Sequence, residues 1–208
     1  MLEPYRRILS LPGALTFSLT GLFARLPISM LGLGIVLLVS ERTGSYALAG
    51  TISAATVVAS AVGSPLQGRL TDRFGQYRVL PVTAAVFGAG TAAMLVAIGE
   101  GWPLPVPHVF AAVIGVALPQ IGSMVRARWG HAIDDRTVLQ TAFAFEAVVD
   151  EVIFIVGPVL VTFLATLLHP FAGLVCAGLV GVSGSALLGA QRLTEPPVGG
   201  EQHHELVR

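Results

Sequence analysis

The chain has no lysine, a single cysteine and few charges of any kind, since only 12% of its 208 residues are Asp, Glu, Lys or Arg. Ordinary soluble domains carry roughly a quarter, so a typical soluble protein is excluded. Cys176 stands alone, which excludes an intrachain disulfide and a cysteine-built metal site. Lying in an apolar run, it reads as a small core residue. The lack of lysine leaves all twelve basic residues as arginine, a usage that suggests GC-rich coding more than any chemistry. Twelve acids balance them, so there is no basic field to hold nucleic acid.

What the chain does have is hydrocarbon: 54% of its residues are hydrophobic and the mean hydropathy is +0.79. About 20 residues at helical rise cross roughly 30 Å of lipid, and six runs qualify: Leu11–Val39, Ala47–Leu66, Val79–Ile98, Val106–Val125, Val138–Leu167 and Phe171–Leu188. Backbone amides in lipid must be satisfied within their own segment, which selects helices. The short alternating segments of a β-barrel are absent. The opening MLEPYRRILSLPG resembles a secretory signal, but the run after it is too long, contains Arg25 and lacks a small-residue cleavage site. It is the first span.

Basic residues gather on the cytoplasmic side. With the N-terminus inside, Arg6, Arg7, Arg69, Arg73, Arg78, Arg126, Arg128, Arg136, Arg192 and Arg208 lie inside and Arg42 alone lies outside. Both termini are then cytoplasmic. The turns SERTGSY, GEGWPLP and HP are short, so neighbouring spans run antiparallel. The expected fold is an all-α, six-helix membrane bundle over residues 1–190, with a polar tail or linker over 191–208. His203 and His204 in that tail form a pair without further ligands, too little for a metal site. No cofactor motif is present.

One stretch between the second and third runs, GRLTDRFGQYRVL, crowds Arg69, Asp72, Arg73 and Arg78 together. Gly68 and Gly75 permit a tight turn there, and Asp72 can cap or pair locally. The order Gly68-Arg69-Leu70-Thr71-Asp72-Arg73-Phe74-Gly75, followed by Arg78, resembles the G-x-L-x-D-R-x-G-R-R signature of the major facilitator superfamily of transporters. Gln76 and Tyr77 replace residues that are usually basic. The resemblance implies that Gly68, Asp72, Arg73, Gly75 and Arg78 form a conformational gate that closes the inner face. It further implies alternating access, in which two six-helix halves rock about a central site. Six spans make up only half of such a protein, so the chain reads as an N-terminal half: a fragment, a truncated gene product, or a subunit that needs a second half or self-association. Gly157-Pro158 in the fifth span is similar to the Gly-Pro motif of antiporters in this superfamily. Val159, Leu160 and Val161 follow it where further glycines are usual, so it reads as a helix kink with a lean toward export.

Four ionisable residues fall inside spans: Arg25 in the first, and Glu146, Asp150 and Glu151 in the fifth. Each unpaired charge near the bilayer centre costs at least about 2.5 to 3.5 kcal/mol, so partners or water are needed. Arg25 and Asp150 lie at nearly equal depth, about 20 Å and about 18 Å from their span entrances. Glu146 and Asp150 share a helix face, while Glu151 points away. The expectation is that Arg25 pairs with Asp150 or Glu151 and that the other carboxylates face a cavity, open to a cationic substrate or a coupling proton. Desolvation favours the protonated form of a carboxylate, as coupling requires. Pro27 and Pro119 interrupt the first and fourth spans, and Gln120 beside the second break is a further candidate for the substrate site.

Two rivals stand beside a proton-coupled exporter in a bacterial inner membrane. Gly181-Val182-Ser183-Gly184 spells the GxSG motif of rhomboid proteases, but a serine nucleophile needs a base in reach and no span supplies a histidine to it. Small residues for close helix packing explain the motif better, and the chain is not expected to be an enzyme. A membrane subunit or scaffold that requires a partner half is the stronger rival.

Overall fold

The computed structural model describes residues 3–198, all helix and short connections. A short α1 (Glu3–Leu9) precedes α2 (Ala14–Thr43), α3 (Tyr46–Phe74), α4 (Gln76–Gly99), α5 (Pro105–Ala117), α6 (Ile121–Ala132), α7 (Arg136–Leu167) and α8 (Ala172–Ala190). A 3₁₀ turn, Arg192–Thr194, follows. With α5 and α6 taken together, six helices are long and apolar enough to cross a membrane.

The boundaries follow local chemistry. Ser45 caps α3 by accepting the Leu48 amide at 3.2 Å, and Asp135 caps α7 by accepting those of Thr137 and Val138 at 2.8 and 3.0 Å. Gly44 ends α2 with φ of 69°, a conformation that favours glycine. Helix α3 runs on to Phe74 and α4 starts at Gln76, so the charged stretch expected as a loop is helical apart from Gly75. With no side chains to strain, Gly75 turns the chain at φ of 84° in one residue.

Helix α2 forms the centre, packed against α8, α7 and α3, while α4 packs on α8 and α5, and α5 on α3. Small residues permit the closest approaches: a side chain at Gly63 would strike the backbone of Val116, and one at Gly184 the backbone of Ala24. Leu31, Ile35, Phe87 and Ile114 fill the core at one end, and Phe17, Leu80, Val125 and Trp129 at the other. Facing away, α3 exposes Val57, Val58 and Val62, and α7 exposes Val152, Ile155 and Val159. Water solvates such surfaces poorly and lipid solvates them well. The chain is a multi-pass membrane protein.

Candidate functional site

The site begins at a break. Pro119 has no amide hydrogen and disfavours helix for the residue before it. Leu118 accordingly adopts φ −55°, ψ 113°, and the fourth span divides as its proline foretells. The buried Gln67 of α3 covers the freed carbonyls, with Nε2 donating to Val116 O at 2.8 Å and Leu118 O at 3.0 Å. Gln120 Nε2 donates to Leu118 O as well, at 3.0 Å. Helix α6 then restarts at Ile121 with no side-chain cap.

Beside the break lies a cavity of about 330 Å³ between α2, α6 and α7, walled in part by Arg25, Gln120, Ser123, Arg126, Asp150 and Phe154. The charges along it are paired. Arg25, 5% exposed, binds Glu146 through Nη2 and donates from Nη1 to Asp150 Oδ1 at 2.8 Å. Its Nε donates to Gly21 O at 3.1 Å. Arg126, 40% exposed, donates from Nη2 to Asp150 Oδ2 at 2.5 Å. The fully buried Glu146 also accepts from Trp129 Nε1 at 2.8 Å, and Trp129 rests edge-on against Phe17. Two arginines and two carboxylates thus form one closed set, the arrangement that makes buried charge tolerable.

Of the two partners expected for Arg25, the structure gives Asp150, and it adds Glu146, which was expected to face a cavity. Glu146 lies one helical turn before Asp150 on the same face, whereas Glu151 is turned to the exposed side of α7. Of the carboxylates expected to stand spare over the cavity, Glu146 has a donor on each oxygen and neither it nor the exposed Glu151 lines the cavity. Sequence reasoning counted Arg126 only among the cytoplasmic arginines and did not single out Trp129. Their spacing of three residues, on a stripe that includes Gly122, was the available signal.

A second polar cluster sits at the arginine-rich end of the bundle. Arg128 is fully buried. It donates from Nε to Gln76 Oε1 at 2.8 Å, from Nη2 to Leu188 O at 2.9 Å, and from Nη1 to Gln191 O at 2.8 Å and Thr194 Oγ1 at 2.6 Å. A cation at the last carbonyls of α8 suits the negative end of that helix. Residues 191–195 are therefore held against the bundle, and Glu195 Oε1 accepts the Tyr77 amide at 3.1 Å. The histidines at 203 and 204 lie outside the described residues.

The motif residues flank this cluster. Asp72, Arg73 and Arg78 are exposed, and Asp72 has no ion pair among the described residues. Arg73 lies over the ring of Phe74 and Arg78 over that of Tyr77. Gly68 has open space around it, whereas a side chain at Gly75 would meet Glu195. In α7, the helix continues through Pro158, and Gly157 lets Ser29 of α2 pack against its backbone. Ser183 of the GxSG sequence is exposed and donates to Leu179 O at 2.7 Å.

Six membrane-spanning helices, three of which enclose a paired-charge cavity beside a broken span, define a polytopic membrane protein of the kind that handles solutes. The family model of the Major Facilitator Superfamily matches residues 17–206, and the chain belongs to that superfamily, as a transporter. Comparisons with curated proteins and with solved structures give no significant match.

Proposed function

We propose that this transporter carries a small solute by alternating access, with the cavity between α2, α6 and α7 as part of its path. The observation that supports this is the shared position of the span-four break and the Arg25–Glu146–Asp150–Arg126 set. Broken helices and intramembrane charges, even when paired, mark substrate and ion pathways in membrane proteins. Asp150, partly open to the cavity, is the group a coupling proton would reach, while Glu146 is sealed behind it.

In this reading the arginine-rich end faces the cytoplasm of a bacterial inner membrane. Gly68, Asp72, Arg73, Gly75 and Arg78 form the gate there, and their exposed charges await a surface on a second six-helix half or a second copy. Export is the direction favoured by Gly157-Pro158, with protons moving in exchange or alongside.

Ser123→Cys in a Cys176→Ala background, reconstituted in oriented vesicles, tests the reading with membrane-impermeant thiol reagents. Labelling from either side is expected, with Asp72→Asn altering the ratio between sides. Labelling confined to one side in every condition rejects alternating access at this cavity.

A further inference from the structure

We infer that the solute bears a carboxylate, which takes the place of the Asp150 side chain between Arg25 and Arg126; this rests on the transport reading above. The protein itself supplies the template, since Asp150 offers one oxygen to each guanidinium. A cation entering the cavity would meet carboxylate oxygens that already have donors and a half-exposed guanidinium of its own sign, Arg126. A guanidinium has five N–H donors, yet Arg126 places only Nη2 on an acceptor among the described residues. Its remaining donors are free for a planar two-oxygen group, the geometry a guanidinium matches best. Ile28, Ile153 and Phe154 supply apolar wall, so the solute would carry hydrocarbon behind its charged end.

Charge balance sets the coupling. Arg25 from α2 and Arg126 from α6 face Asp150, and Glu146 lies one turn away on α7. With both acids ionised the set is neutral. A monocarboxylate adds one negative charge, and one proton taken up by Asp150 restores neutrality while releasing both arginines to the incoming group. Solute and proton would then move together, one for one and without net charge.

The test uses the whole chain in detergent with Trp102→Phe, so that Trp129, hydrogen-bonded to Glu146, is the remaining indole. Hexanoate and hexylammonium, matched in chain length and opposite in charge, are titrated against its fluorescence. Saturable binding of hexanoate that weakens as pH rises is expected, with Arg126→Gln weakening it at least roughly tenfold. Asp150→Asn, which mimics the protonated acid, should keep binding and lose its pH dependence; if that variant does not fold, the pH profile of the parent serves alone. Binding of hexylammonium only, binding of neither, or no effect of Arg126→Gln overturns the assignment. Two-sided thiol labelling at position 123 is indifferent to ligand charge, so it reports separately on the transport reading.

Discussion

Trp129 Nε1 donates a hydrogen bond to Glu146 Oε1 at 2.8 Å, with both side chains fully buried. The indole thereby completes a charge set whose other members come from α2, α6 and α7. Removing the donor while keeping a ring tests its weight: Trp129→Phe leaves one carboxylate oxygen unpaired at a cost of about 1–3 kcal/mol. The expected outcome is a lower melting temperature in detergent. An unchanged melt would mean that the oxygen finds another donor.

Arg128 differs from Arg25 in having main-chain carbonyls and neutral side chains as its partners. A lysine keeps the charge but not the fork that reaches four acceptors. Arg128→Lys should therefore be nearly as damaging as Arg128→Met, each lowering stability by about 3 kcal/mol or more. Membrane abundance and thermal inactivation of the two variants provide the comparison, and a lysine variant like the parent would refute a geometric role.

Gln67 joins α3 to the break in the fourth span. Gln67→Leu should strand the Val116 carbonyl and leave Leu118 O with Gln120 alone, loosening the break by about 1–3 kcal/mol. Faster hydrogen exchange at residues 120–124, with little change in α8, is the expected signature.

Asp150 and Glu151 are adjacent in sequence and separated in role. Asp150→Asn is expected to impair transport at normal membrane abundance, because it alters a carboxylate on the cavity wall. Glu151→Gln alters an exposed side chain outside the cavity and should leave transport close to the parent's. Equal effects would separate the cavity from the transport route.

The cap on α7 carries a pH dependence of known sign. The Val138 and Thr137 amides hold the Asp135 carboxyl below its ordinary pKa. Its contribution is complete above the ordinary aspartate value of about 4 and is lost as pH falls through the depressed folded value. Protection of the Thr137 and Val138 amides, measured against their intrinsic exchange rates, should fall in acid, and Asp135→Asn, still a competent cap, should remove that fall.

Hydropathy made the six spans legible, because lipid as solvent demands long uninterrupted apolar helices. Pro119 announced the break, and counting residues from the span ends brought Arg25 level with Asp150. The span ends were less legible: Arg126, Arg128 and Trp129 sit beyond the expected limit at Val125, yet α6 continues to Ala132. Their burial depends on acceptors from distant parts of the chain, Glu146, Asp150, Gln76 and Leu188. No local pattern encodes such partners.

By itself, then, the sequence determined the solvent, the helices and the depth of their charges, since each depends on composition and rise along one segment. Only the tertiary structure decided which carboxylate meets which arginine and which donors stay open to the cavity. Those outcomes rest on the rotation of α2, α6 and α7 about their own axes, which packing between helices sets.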